Sequence, residues 1–128
     1  MRILGIDYGS KRVGVALSDE AGKFAMPLIV VKNGKSLLEE IVGLAKTNEV
    51  KEIVLGESRD YKGKPNEIFM AASEFKKELE KEGFAVHFQL EFMTSVQAER
   101  FQGKNDKSDA SAAALILQAY IDSNNQKP

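Results

Sequence analysis

The hydrophobic pattern of this chain changes period once, near residue 36, and that change limits the folds open to it. Before it, three apolar runs, 2–8, 12–18 and 24–32, follow one another across the short polar breaks YGSK and DEAGK. The second run, RVGVALS, alternates and is rich in valine, as a half-buried strand does. Breaks this short leave room only for tight turns, so the three runs predict an antiparallel meander, with Gly9 needed in the first turn. Pro27 cannot donate to a ladder and places the first half of the third strand at a sheet edge.

Beyond residue 36 the period becomes helical. Leu37, Leu38, Ile41, Leu44 and Ala45 recur at helix spacing over 36–47, and EIVLG at 52–56 is a short buried strand. The polar loop 57–64 precedes a second amphipathic helix over about 66–82, carried by Ile68, Phe69, Ala72, Phe75 and Leu79 and stopped by Gly83. FAVHFQL at 84–90 is a fifth strand. Thr94 and Gln97 form a capping-box pattern opening a short helix to about Phe101, and the alanine-rich segment 108–122 is the last helix. Strand–helix–strand units make parallel pairs with right-handed crossovers. The expected fold is therefore α/β: a mixed five-stranded sheet, strands one to three antiparallel, strands four and five parallel to the first, with helices on both faces.

At 128 residues the chain has the length of one domain, 1–128, large enough for a core without staples. No apolar run approaches the roughly 20 residues that span a bilayer. The N-terminus lacks a basic segment followed by an apolar stretch, so neither a membrane segment nor a secretory signal is expected. Cysteine is absent and His87 is the single histidine, which excludes disulfides, thiolate sites and histidine-built metal sites. Any metal must then sit on oxygen, which favours Mg2+ or Mn2+. The net charge of −1 implies that a polyanionic partner would be met by a local patch or by bridging cations.

Ligands on open α/β sheets lie beyond the carboxyl ends of the strands. Asp7 ends the first strand, Glu91 follows the fifth, and Asp109 opens the last helix three residues after Asp106. Carboxylates converging there would repel one another and call for cations, and two divalent ions bridged by carboxylates suit phosphodiester cleavage. Each acid also has an ordinary use. Asp7 fits an Asx turn in DYGS, Glu91 a solvated strand end, and Asp106 and Asp109 a helix cap and first turn. His87 alternates with Val86 and Phe88 and is expected to face a helix or solvent. The basic residues are scattered, and most fit solvated surface charges, but several fall at the same predicted end. Lys11 and Arg12 follow the first turn, Arg59, Lys62 and Lys64 lie in the long loop, and Arg100, Lys104 and Lys107 flank the final acidic pair. Loops 57–64 and 102–107 are expected to contact phosphates, with Tyr8 and Tyr61 nearby.

The segments GIDYGSKRVGVALSD, TSVQAER at 94–100 and KSDASAAALILQAYID at 107–122 together resemble the YqgF family, also called RuvX, in order and spacing. The resemblance implies an RNase H-like fold of the RuvC type and a cytoplasmic bacterial nuclease that uses magnesium or manganese. It implies action in ribosome biogenesis on pre-16S rRNA, or on Holliday-junction DNA, as a monomer or homodimer. The family's catalytic acids fall on Asp7, Glu91 and Asp109, and Asp106 matches the paired aspartates of the RuvC type. Two stretches depart from it: Phe92 stands where the family has arginine, and GESRDYKGKP replaces a glycine-leucine-proline stretch. Two other readings stay open. One is a catalytically silent RNA-binding ribosome-assembly factor. The other is a nucleotide-binding module, because DYGSKRVG also resembles the phosphate loop of actin-like and sugar-kinase ATPases.

Overall fold

A computed structural model describes residues 1–57, 67–90 and 106–125. The elements follow the order β1 (Ile3–Tyr8), β2 (Arg12–Ser18), β3 (Ala25–Lys32), α1 (Leu37–Thr47), β4 (Glu52–Glu57), α2 (Glu67–Lys81), β5 (Ala85–Leu90) and α3 (Asp106–Asn125). The meander and the helix–strand alternation expected from the hydrophobic pattern are both present. The last helix begins at Asp106, two residues before its expected start, and the expected short helix over 94–101 lies outside the described residues.

The five strands form one mixed sheet in the order β3-β2-β1-β4-β5. β1 pairs antiparallel with β2 and parallel with β4, and β4 pairs parallel with β5. β1 is therefore central and all of β3 is an edge, not just its first half. That edge keeps Met26, Leu28 and Ile29 exposed, and a register shift between Val15 and Ala16 bends the strand beside Pro27. The register shift and Pro27 disfavour pairing with a further strand.

Alternation along the strands divides the sheet between two cores. Leu4, Ile6, Val13, Val15, Ile53 and Leu55 face α1 and α2 and pack with Ile41, Phe75 and Leu79. On the other face Ala16 and Val54 pack against Ala113, Ile116, Leu117 and Ile121 of α3. α3 lies close because Gly5 leaves it room. A Cβ at Gly5 would sit 2.7 Å from Leu117 Cβ and 3.1 Å from the Ala113 carbonyl oxygen.

Polar contacts fix the axial position of α3. The Gln118 carboxamide accepts from the Ala25 amide at 2.9 Å and donates to the Lys23 carbonyl at 3.0 Å, at the start of β3. The Tyr120 hydroxyl donates to Glu52 Oε2 at 2.7 Å, at the start of β4. The C-terminal half of α3 thus sits at the amino ends of the parallel strands, and its first turn points to their carboxyl ends.

Candidate functional site at the carboxyl edge of the sheet

Asp7 is half-buried near the carboxyl end of the central strand. It shares the α3 face with Gly5, because Leu4, Ile6 and Tyr8 take the opposite face. The residue across from it on β2 is Gly14, and one step beyond the Ile6–Leu55 pair on β4 lies Gly56. Both glycines are buried and share Asp7's side of the sheet. The positions directly across from Asp7 on both neighbouring strands are thus glycines. The residue types alone do not single out Gly14 and Gly56. The length of the hairpin turn does, since closure on the Tyr8–Val13 pair sets residue 7 opposite residue 14.

The helix stripe that touches β1 runs through Leu117 and Ala113, both against Gly5. Continued one turn toward the N-terminus, it passes Asp109. Four helical residues advance about 6 Å. Two strand residues from Gly5 to Asp7 advance about 6.6 Å. The backbone of α3 and that of β1 therefore keep step. The backbone of Asp106, Lys107 and Asp109 is the first turn of α3. Their side chains, and residues Glu91, Arg59, Lys62, Lys64, Arg100, Lys104 and Tyr61, lie outside the described part of the molecule. Glu91 directly follows Leu90, the last residue of β5.

Lys11 and Arg12 are exposed at the first turn and the start of β2. Gly9 is needed there for space: a Cβ would meet the Arg12 carbonyl oxygen at 2.5 Å. Tyr8 corrects one expectation. Its ring packs on Phe75, 5.5 Å between centroids, on the sheet face opposite Asp7, where it serves the core and not a phosphate. His87 faces α3, as alternation suggests. Its ring stacks on Tyr120 with centroids 5.6 Å apart, and its Nε2 lies 3.1 Å from Glu52 Oε2. Burial, followed by the bond to Glu52, raises the Tyr120 pKa above its ordinary value. The one imidazole is thus engaged on the edge strand β5, with Glu52 and Tyr120.

The end of the opening motif is structural. The buried Ser18 hydroxyl accepts from the Ile3 amide at 2.8 Å, which ties the start of β1 to the end of β2. Asp19 Oδ1 accepts from the amides of Lys23 and Phe24 at 2.8 and 3.1 Å, closing the β2–β3 turn. Those two bonds hold its pKa below the ordinary carboxylate value.

Among the described residues no three His, Cys, Asp or Glu side chains are grouped to hold a metal. Asp7 is the one described member of the expected set. A carboxylate donor, with no thiol in the chain and the imidazole engaged elsewhere, has the oxygen chemistry that suits Mg2+ or Mn2+. No helix among the described residues is long and apolar enough to cross a membrane.

This sheet order, with α3 laid across the central strand, is the fold of RuvC-type, RNase H-like resolvases. The structure of Thermus thermophilus RuvC in complex with a Holliday junction substrate aligns with a TM-score of 0.62 at 14% identity, covering 98% of this chain and 96% of that one. The fowlpox virus Holliday junction resolvase aligns at 0.59 and 15% identity, covering 96% and 99%. Residues 1–123 match the RuvX family, described as Holliday junction resolvase, and the chain belongs to that family. A relative from Sulfurihydrogenibium sp. (strain YO3AOP1), named "Putative pre-16S rRNA nuclease", is 35% identical over 94% of this chain and 90% of its own. One of the same name from Carboxydothermus hydrogenoformans is 36% identical over 94% and 96%.

Proposed function

We propose that this chain, as a single domain of 1–128, is a metal-dependent endonuclease of the bacterial cytoplasm that hydrolyses phosphodiester bonds in structured nucleic acid. The substrate class is the 5′ region of pre-16S rRNA, with Holliday-junction-like DNA as the second. The observation that carries the reading is Asp7, half-buried on the central strand between Gly14 and Gly56, with the first turn of α3 directed at the same edge. Membership of the RuvX family and the names of the relatives support it.

Asp7, Glu91 and Asp109, with Asp106, are the groups that would hold Mg2+ or Mn2+. A bound cation of this kind supplies Lewis acidity, which lowers the pKa of an attacking water and stabilises a leaving oxygen. The protein's own part is to place the phosphate. The glycines on either side of Asp7 admit the backbone to the carboxylate, and the basic residues at this edge neutralise its flanking phosphates. Water adds its oxygen to phosphorus and gives a proton to solvent, while the bridging ester oxygen departs with the bonding electron pair and takes up a proton from solvent.

The test is incubation of the parent and of Asp7→Asn with a pre-16S rRNA fragment and with a four-way DNA junction, each with Mn2+. The parent is expected to cleave at least one, and Asp7→Asn to lose about a thousandfold or more in rate, the scale of losing a charge-stabilising group at a reacting centre. RNA binding without cleavage by the parent, unchanged in Asp7→Asn, would replace the nuclease with a silent assembly factor.

A further inference from the structure

We propose that Lys32 and Lys35 at the end of β3, together with Lys11 and Arg12, form a phosphate-binding arm on the flank of Asp7 away from β4. The arm takes the sugar-phosphate backbone of a nucleic-acid substrate beside the cleavage position. This inference rests on the nuclease reading for the meaning of Asp7, but its physical content is separate.

β3 is antiparallel to β2, which is antiparallel to β1, so β3 ends at the same edge as Asp7. Arg12 and Lys32 are direct cross-strand partners. Like charges placed opposite each other weaken a sheet. Lys32, exposed on the edge strand, stands beside the start of β2 at this edge. Lys35 is held close by by the segment that follows. The Asn33 amide donates to the Lys11 carbonyl at 2.9 Å, and its side chain donates to the Gly9 carbonyl at 2.8 Å. One asparagine thus clamps the end of β3 to the turn that carries Lys11.

All four cations are exposed, and Lys11, Lys32 and Lys35 make no ion pair among the described residues. The nearest acids in sequence, Glu39 and Glu40, lie in the first turn of α1, where the helix dipole favours them, and are not paired with these lysines. The opposite edge differs: there Arg2 is 3.5 Å from Glu20, and Lys46 and Lys51 share a concavity with Glu20 and Glu49. Among the described residues, Lys11, Lys32 and Lys35 are thus exposed without an ion pair at the edge that carries Asp7.

Geometry also sets the reach. β3 is two strand spacings from β1, about 10 Å. The arm therefore meets a backbone phosphate flanking the one at Asp7. Sequence-independent backbone contacts of this kind position a substrate without reading its bases.

The experiment measures how binding falls with salt, without divalent ions, for the parent, Lys32→Ala/Lys35→Ala and Lys46→Ala/Lys51→Ala. The probes are a pre-16S rRNA fragment and a four-way DNA junction, which share the phosphate chemistry and distinguish its source. The first double variant is expected to bind more weakly at low salt. Its slope of log K against log salt should be shallower by about 1.8 on duplex, for two phosphates at 0.9 each, and somewhat less on single strands. A loss on either probe supports the arm and identifies its ligand. An unchanged slope on both probes overturns it, as does an equal loss in the opposite-edge variant. A thermal melt checks that both variants fold. Cleavage by the parent with an unchanged slope would sink the arm and leave the nuclease standing. A changed slope without cleavage would do the reverse.

Discussion

Glu49 is held at φ 57°, in the left-handed region, immediately after α1. The amide of Val50 donates to the Ala45 carbonyl at 2.7 Å and that of Glu49 to the Lys46 carbonyl at 3.2 Å. These are the two bonds of a Schellman motif, with Asn48 as the C-cap. Val50 is buried in the core just beyond, so the chain must reverse here whatever residue occupies the left-handed position. That position is normally glycine's, because a Cβ there is crowded by the following carbonyl, at a cost of about 1 kcal/mol. Glu49→Gly is therefore expected to raise unfolding stability by roughly 1 kcal/mol with the denaturant slope unchanged. A urea titration at neutral pH reads it directly, and a loss of stability would show that the glutamate side chain contributes more than its backbone costs. The two helix ends are marked differently in the sequence, that of α1 only by the end of its apolar spacing. Gly83 punctuates the second helix in the sequence, whereas nothing in the side chain of Glu49 marks a stop.

Elements were legible where periodicity was strong. The strands 2–8, 12–18, 24–32, 52–56 and 84–90 read from alternation and apolar runs lie within a residue or so of those observed, as do the first two helices. What the pattern could not supply is which face α3 covers and how it is fixed there. Gly5, Gln118, Tyr120, Glu52 and His87 decide that, and they are scattered over β1, β4, β5 and α3. The Tyr120–Glu52 bond has a pH signature. Because the phenol pKa is raised in the folded state, its contribution is fully present below the unfolded value of about 10 and is lost as pH rises through the folded value. Tyr120→Phe is expected to cost about 1 kcal/mol at pH 7 to 9. Toward pH 11 and above the difference should shrink, since an ionised phenol would face the Glu52 carboxylate. Chemical denaturation of both proteins across that range checks it, and a pH-independent difference would mean that ring packing, not the hydrogen bond, holds the helix.

Across the whole molecule, residues far apart in sequence are directed to one edge by two topological facts: β1, β4 and β5 are parallel, and α3 runs back across β1. The acids at 7, 91 and 109 were visible in the sequence as chemistry at strand ends. The partnership of Arg12 with Lys32 was not, because it depends on the register of an edge strand. If the acids do gather around a cation, the fold must tolerate their repulsion when the cation is removed. A cation binding the folded chain alone, at a hundred times its dissociation constant, stabilises it by about 2.7 kcal/mol. For a chain of this size that raises the melting temperature by roughly 10 °C. Mn2+ is therefore expected to raise the melting temperature of the parent by that order. Asp7→Asn should lose most of this rise and, in EDTA, melt at or above the parent because one of the repelling charges is gone. Calorimetry with and without Mn2+ reads both halves without reference to activity. A Mn2+ shift of equal size in Asp7→Asn would place the cation elsewhere. A variant markedly less stable than the parent in EDTA would mean that Asp7 serves the fold before it serves a metal.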